Sequence, residues 1–242
     1  MADIRTSNAD YPDDGQTFEG FVAWDAAAGR KSPAVMIASD WTGLLEPTRN
    51  RAEQMAARGY VGFGLDVYGK GKRGQQGADN SALINPLLAD RARLRRRLLA
   101  GVAACAAHPA VDAQRLAVIG FCFGGLCALD LARANAPGLI GAVSFHGIYA
   151  PPGLGQQEPI RAKVLVCHGW DDPFTPVPAT VGLAAELTEA RADWQLHAYG
   201  RTVHAFTTAG ANNPAMGAVY DANADRRSFA ALEYFLDEIF RA

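Results

Sequence analysis

The sequence predicts an α/β fold: a mostly parallel sheet with helices on both faces. Short apolar runs of strand length, bounded by turn residues, alternate along the chain with longer helical patterns. Several of these runs, "SPAVMIASD" and "KVLVCHG" among them, are apolar almost throughout, as strands covered on both faces require. With 242 residues, 49% of them hydrophobic, the chain can bury a sizeable core, and a single domain over 1–242 is expected.

The elements follow in order. "TFEGFVAW" (17–24) alternates and predicts an antiparallel edge strand. "SPAVMIASD" (32–40) reads as a buried strand, and "EPTRNRAEQMAARG" (46–59) as a helix with Pro47 in its first turn and Gly59 past its end. "YVGFGLDVYG" (60–69) is the next strand and leaves into a basic, glycine-rich loop reaching residue 80, a candidate lid. From Ser81 to Ala107, Leu87, Leu94, Leu98, Val102 and Cys105 mark one stripe along a single long helix. Arg91, Arg93, Arg95, Arg96 and Arg97 fall on its remaining faces, the pattern of a solvated surface. "RLAVIG" (115–120) is a strand that leads into a helix from Phe123 to Ala134. Strands at 138–147, 161–169 and 193–200, a helix at 176–190 and an amphipathic helix at 224–242 complete the pattern.

Charge narrows the partners. The 23 Lys and Arg nearly cancel the 25 Asp and Glu, which disfavours nucleic acid and anionic membrane and leaves small molecules as the expected ligands. The first residues, "MADIRTSNADYPDDGQ", lack the basic start and apolar core of a secretory signal, and no run approaches the ~18 apolar residues of a membrane span. A cytoplasmic protein, monomer or homodimer, is expected. Cys105, Cys122, Cys127 and Cys167 form no CxxC pair and no zinc spacing, so no metal is expected and a reducing compartment fits.

One stretch carries chemistry. In "VIGFCFGG" (118–125) a strand ends at Gly120, Cys122 occupies the turn, and a helix begins at once, as in the nucleophile elbow of the α/β-hydrolase fold. Gly120 and Gly124 remove side chains that would clash across so sharp a turn, and the helix N-terminus favours the thiolate. In that fold an acid and then a histidine follow, each on a loop after a strand. "HGWDDPFTP" offers Asp171 and Asp172, and Asp172 is favoured because the following Pro173 biases it toward an extended conformation. His204, after the next strand, is the candidate base. His108, His168 and His197 read as structural, whereas His146 could line the site. A developing oxyanion needs preorganised donors, for which the backbone N–H groups of Phe123 and Trp41 are the candidates.

These residues resemble the dienelactone hydrolase family, a Cys-His-Asp branch of the α/β-hydrolase fold. The likeness runs through "SPAVMIASDWTG", "GYVGFGLDVYGKG", "VIGFCFGG", "HGWDDPFTP" and "HAF". It implies lactone or ester hydrolysis through a thioester, with no metal or organic cofactor. Two positions depart from the dienelactone-cleaving pattern. Asp40 stands where that pattern has a thiol-controlling glutamate, and Thr208 where it has an arginine for the substrate carboxylate. Uncharged esters or lactones are therefore the expected substrates, with Trp41, Phe123, Phe174 and Phe206 as an apolar rim, and phosphotriester hydrolysis as a side activity. The competing expectation is a binding or redox-sensing protein that uses a reactive thiol; an ordered acid and histidine count against it.

Overall fold

The computed structural model describes residues 2–241. Eight strands form one sheet: β1 (Ile4–Asp13), β2 (Gln16–Asp25), β3 (Ser32–Ala38), β4 (Val61–Leu65), β5 (Val111–Phe121), β6 (Leu139–Phe145), β7 (Lys163–Gly169) and β8 (Trp194–Tyr199). Their spatial order is β1-β2-β4-β3-β5-β6-β7-β8, with β1 and β2 antiparallel and every pair from β4/β3 to β7/β8 parallel. Helices α1 (Glu46–Ala57), α2 (Ser81–Ala89), α3 (Arg91–Ala107), α4 (Phe123–Arg133), α5 (Val177–Glu189) and α6 (Ala222–Arg241) cover it, and the short strands β9 (Asn212–Asn213) and β10 (Ala218–Val219) pair before α6. No helix of the described residues is long and apolar enough to cross a membrane.

Alternate residues of each central strand feed opposite faces. Val35 and Ile37 join a core cluster with Met55 of α1 and Leu232 and Phe235 of α6, while Ala34 and Met36 join Leu98 of α3 and Leu126 of α4 on the other face. From β3 the chain moves outward to β4, then crosses back to place β5 on β3's other side. That reversal makes a crevice at the carboxyl ends of β3 and β5, where ligands bind in open α/β sheets.

Three expectations are corrected. The strand at 17–24 is not the edge. β1 pairs with β2 over ten residues and takes that place; its side chains are mostly solvated, with Tyr11 buried and donating from its hydroxyl to the Asp66 carbonyl at 2.6 Å. The single helix over 81–107 is two. Asp90 leaves helical geometry (φ −124°, ψ 79°), and its carboxylate accepts from the Arg93 N–H at 2.9 Å, capping α3. The arginine run is only partly a solvated face. Arg91 is buried against Asp130 at 2.7 Å, and Arg97 is buried over the Phe18 ring, donating to the Val67 carbonyl at 2.7 Å. Each long stem packs while its head finds a fixed acceptor.

Candidate functional site

Cys122 sits in the crevice between β5 and α4 with φ 55° and ψ −115°, a backbone conformation costly for any residue with a side chain. Bare glycines permit the turn: a Cβ on Gly120 would lie 1.8 Å from the Gly124 carbonyl oxygen, and one on Gly124 would lie 2.0 Å from that of Ala38. The Cys122 N–H donates to the Phe145 carbonyl at 3.0 Å, pinning the turn to the end of β6. Cys105, Cys127 and Cys167 are buried, and Cys122 is partly exposed.

Asp172 leaves β7 and His204 follows β8, and the two meet. The His204 Nδ1 to Asp172 Oδ2 distance is 2.7 Å, and Asp172 Oδ1 accepts from the Phe174 N–H at 2.9 Å. Both side chains are buried. With Nδ1 donating to the carboxylate, Nε2 remains for a reacting group. The short β9–β10 hairpin fixes the histidine's backbone: the His204 N–H donates to the Gly217 carbonyl at 2.9 Å, and the Val219 N–H donates to the His204 carbonyl at 3.0 Å. Asp171 points away into solvent, its N–H donating to the Thr202 carbonyl at 2.9 Å.

Burial works against a charged His204, but the hydrogen bond to Asp172 and the nearby Cys122 outweigh it, pushing the pKa up to about 10. A pKa raised above the ordinary 6.5 contributes stability that is complete below about pH 6.5 and is lost as pH rises through about 10. His146 is the opposite case. Burial first, then His204 and Arg51, hold it well below 6.5, so its contribution is lost as pH falls below that value. Melting temperatures scanned from about pH 5 to 10.5 are expected to decline at both ends. Asp172→Asn should flatten the alkaline decline and His146→Phe the acid one; an alkaline limb equally steep in Asp172→Asn would assign it to other groups.

The remaining expected residues divide. The backbone N–H groups of Trp41 and Phe123 have no acceptor among the described residues. Phe174 is 47% exposed, with its ring centroid 4.7 Å from that of His204, and Trp41 is half-buried. Phe123, fully buried in the core on the α4 side, is not on the rim, and neither is Phe206. Phe206 is fully buried against His146 and Tyr199 because its side chain turns into the sheet's α6-side core. His146 likewise lies beneath the site rather than lining it, with Nε2 2.9 Å from Thr207 Oγ1 and its ring edge-on to His204 at 5.0 Å. Thr208 is partly exposed and carries no charge to the site.

Asp40 makes no hydrogen bond to Cys122. Its Oδ1 accepts from the Thr42 N–H at 2.8 Å and the Thr42 hydroxyl at 2.5 Å, closing its own turn. The 69–80 loop is tied to the same turn, through the Gly74 N–H to the Thr42 carbonyl at 2.8 Å and Arg73 Nε to the Leu44 carbonyl at 2.9 Å. A cavity of about 320 Å³ elsewhere is lined by Arg95, Arg133, Glu186 and the 151–158 segment. Its buried charges are paired with one another, Arg133 to Glu186 at 2.6 Å and to Asp130 at 3.2 Å, and it holds no nucleophile.

A strained strand-to-helix turn at the sheet's switch point, with an acid after β7 paired to a histidine after β8, is the architecture of the α/β-hydrolases. Within that class the chain belongs to the dienelactone hydrolase family, whose model matches residues 18–240. The structure superposes on the dienelactone hydrolase-like promiscuous phosphotriesterase P91 from metagenomic libraries with a TM-score of 0.89 and 33% identity, covering 99% of each chain. The uncharacterized protein K02A2.1 of Caenorhabditis elegans is 35% identical over 150 residues, 61% of this chain and 95% of that one. The "putative carboxymethylenebutenolidase" of Synechocystis sp. is 24% identical over 220 residues, 84% of this chain and 87% of that one. The chain is a dienelactone hydrolase-like hydrolase.

Proposed function

We propose that the protein is a cysteine hydrolase of small, uncharged esters or lactones, with Cys122 as nucleophile, His204 as base and acid, and Asp172 orienting His204. The observation that carries this reading is the 2.7 Å pair of His204 and Asp172 beside the one partly exposed thiol. His204, its pKa raised to about 10, holds a proton on Nε2 near neutral pH, and Cys122 attacks the carbonyl carbon as the thiolate. The carbonyl electrons move onto oxygen, where the N–H groups of Trp41 and Phe123 receive the charge. Collapse breaks the ester bond, and the leaving alkoxide takes the proton from His204. Water, deprotonated by His204, then attacks the thioester, releasing the acid and restoring the thiolate beside protonated His204.

Substrate charge follows from the rim. Phe174 and Trp41 offer apolar surface, and Thr208 supplies no cation, so a carboxylate on the substrate would gain nothing there to offset its desolvation. Phosphotriesters fit as a side activity, since attack at phosphorus also builds charge on an oxygen; the neighbour named as a promiscuous phosphotriesterase supports this.

The test is a panel of neutral aryl esters, neutral lactones, carboxylate-bearing lactones and triaryl phosphates, with intact-mass measurement of acid-quenched reactions. Neutral esters or lactones should give the highest kcat/KM, and the quenched protein should carry one acyl group on the peptide containing Cys122. Preference for the carboxylate-bearing lactones would overturn the substrate class. Turnover with the acyl group on another residue would overturn the assignment of Cys122.

A further inference from the structure

The two backbone donors assigned to the oxyanion lie on separate segments, the turn after β3 and the first residue of α4, and something must hold them at one spacing. Tyr68, just after β4, touches both. Its hydroxyl donates to the Trp41 carbonyl at 2.9 Å, and its ring lies parallel to that of Phe123, 5° between planes and 6.3 Å between centroids. Tyr68 is itself held firmly. It is 3% exposed, and Asp66 Oδ1 accepts from the N–H groups of both Tyr68 and Gly69, at 3.0 and 3.1 Å.

The turn after β3 closes over the tyrosine ring: a Cβ on Gly43 would lie 2.9 Å from it. Holding the Trp41 carbonyl from one side while Asp40 holds the Thr42 N–H from the other fixes the plane of the peptide between Trp41 and Thr42. That leaves little freedom for the preceding N–H of Trp41. The stacked ring of Phe123 sets how near α4 comes to the same turn.

Resting on the hydrolase reading above, we propose that Tyr68 is a positioning residue that sets the separation of the Trp41 and Phe123 N–H groups and thereby stabilises the oxyanion. Preorganised donors act only when they stand where charge develops, so a small displacement costs rate without weakening substrate binding.

Tyr68→Phe keeps the ring and removes the hydroxyl. Its kcat on a neutral aryl ester should fall about tenfold, less than the loss from deleting an oxyanion donor outright, with KM within about twofold. Alkylation of Cys122 by iodoacetamide, which displaces iodide and builds no oxyanion, should proceed at the parent's rate. Phe123→Leu, which retains the N–H but removes the stacking ring, should show the same split and stands in if Tyr68→Phe folds poorly. Equal slowing of hydrolysis and alkylation would show that Tyr68 shapes the thiol's surroundings instead, and a parental kcat in both variants would remove the role altogether. Either result overturns the positioning role alone if Cys122→Ala is inactive; an active Cys122→Ala protein overturns the hydrolase reading on which it rests.

Discussion

Cys122→Ala is expected to lower kcat/KM on a neutral aryl ester by about 10⁴-fold or more, the scale of loss when the nucleophile of a covalent mechanism is removed. The proposed oxyanion donors and apolar rim would remain, so a slow water-mediated reaction should persist above background. The fold should be little affected. The position is partly exposed, and alanine meets the same backbone strain at φ 55° that cysteine already bears. Cys122→Gly makes the strain itself measurable: glycine adopts this conformation freely, so the variant should be inactive yet more stable by about 1 kcal/mol. Tm and steady-state rates of the two variants side by side check both statements. An alanine variant within tenfold of the parent would end the assignment of Cys122 as nucleophile.

The features legible in the sequence were those with a local cause. The strands at Val35 and Ile37, and again at Val164 and Val166, are buried on both faces, and burial writes itself as unbroken apolar runs. The strand-to-helix turn was legible because sterics restrict positions 120 and 124 to glycine, and Asp172 stood out from Asp171 because Pro173 constrains it. Features set by distant partners were not legible. Arg91 looks like any surface arginine until Asp130 is brought beside it from α4. Phe206 has the composition of a pocket residue, and only the backbone direction after His204 turns it into the core. Tyr68 lies in a strand-like run, and its contacts with Trp41 and Phe123 join three separate crossovers at the sheet's switch point. Strand β1 escaped detection because its burial is confined almost entirely to Tyr11, leaving no apolar alternation to read.

The second large effect is expected from Gly120→Ala. Its added Cβ would lie 1.8 Å from the Gly124 carbonyl oxygen and 2.2 Å from the Gly124 carbonyl carbon, atoms of the backbone that no rotamer change can move aside. Relief requires shifting the first turn of α4 away from β5. That shift opposes the contacts of Leu126 and Leu129, both buried in the core. Overpacking against rigid backbone should cost about 3–4 kcal/mol or more, a fall in Tm of about 6–16 °C for a chain of this size. Gly182→Ala is the contrasting case. It lies on the exposed side of α5 with nothing within 4 Å of the added Cβ, so alanine's better helix propensity should raise stability by about 0.8–1 kcal/mol. The pair separates a general glycine effect from a steric one at the elbow. If Gly120→Ala melted within about 2 °C of the parent, smaller than the shift expected from 1 kcal/mol, the turn could yield without strain. Cys122 would then owe its unusual backbone angles to something other than the close approach of α4 to β5.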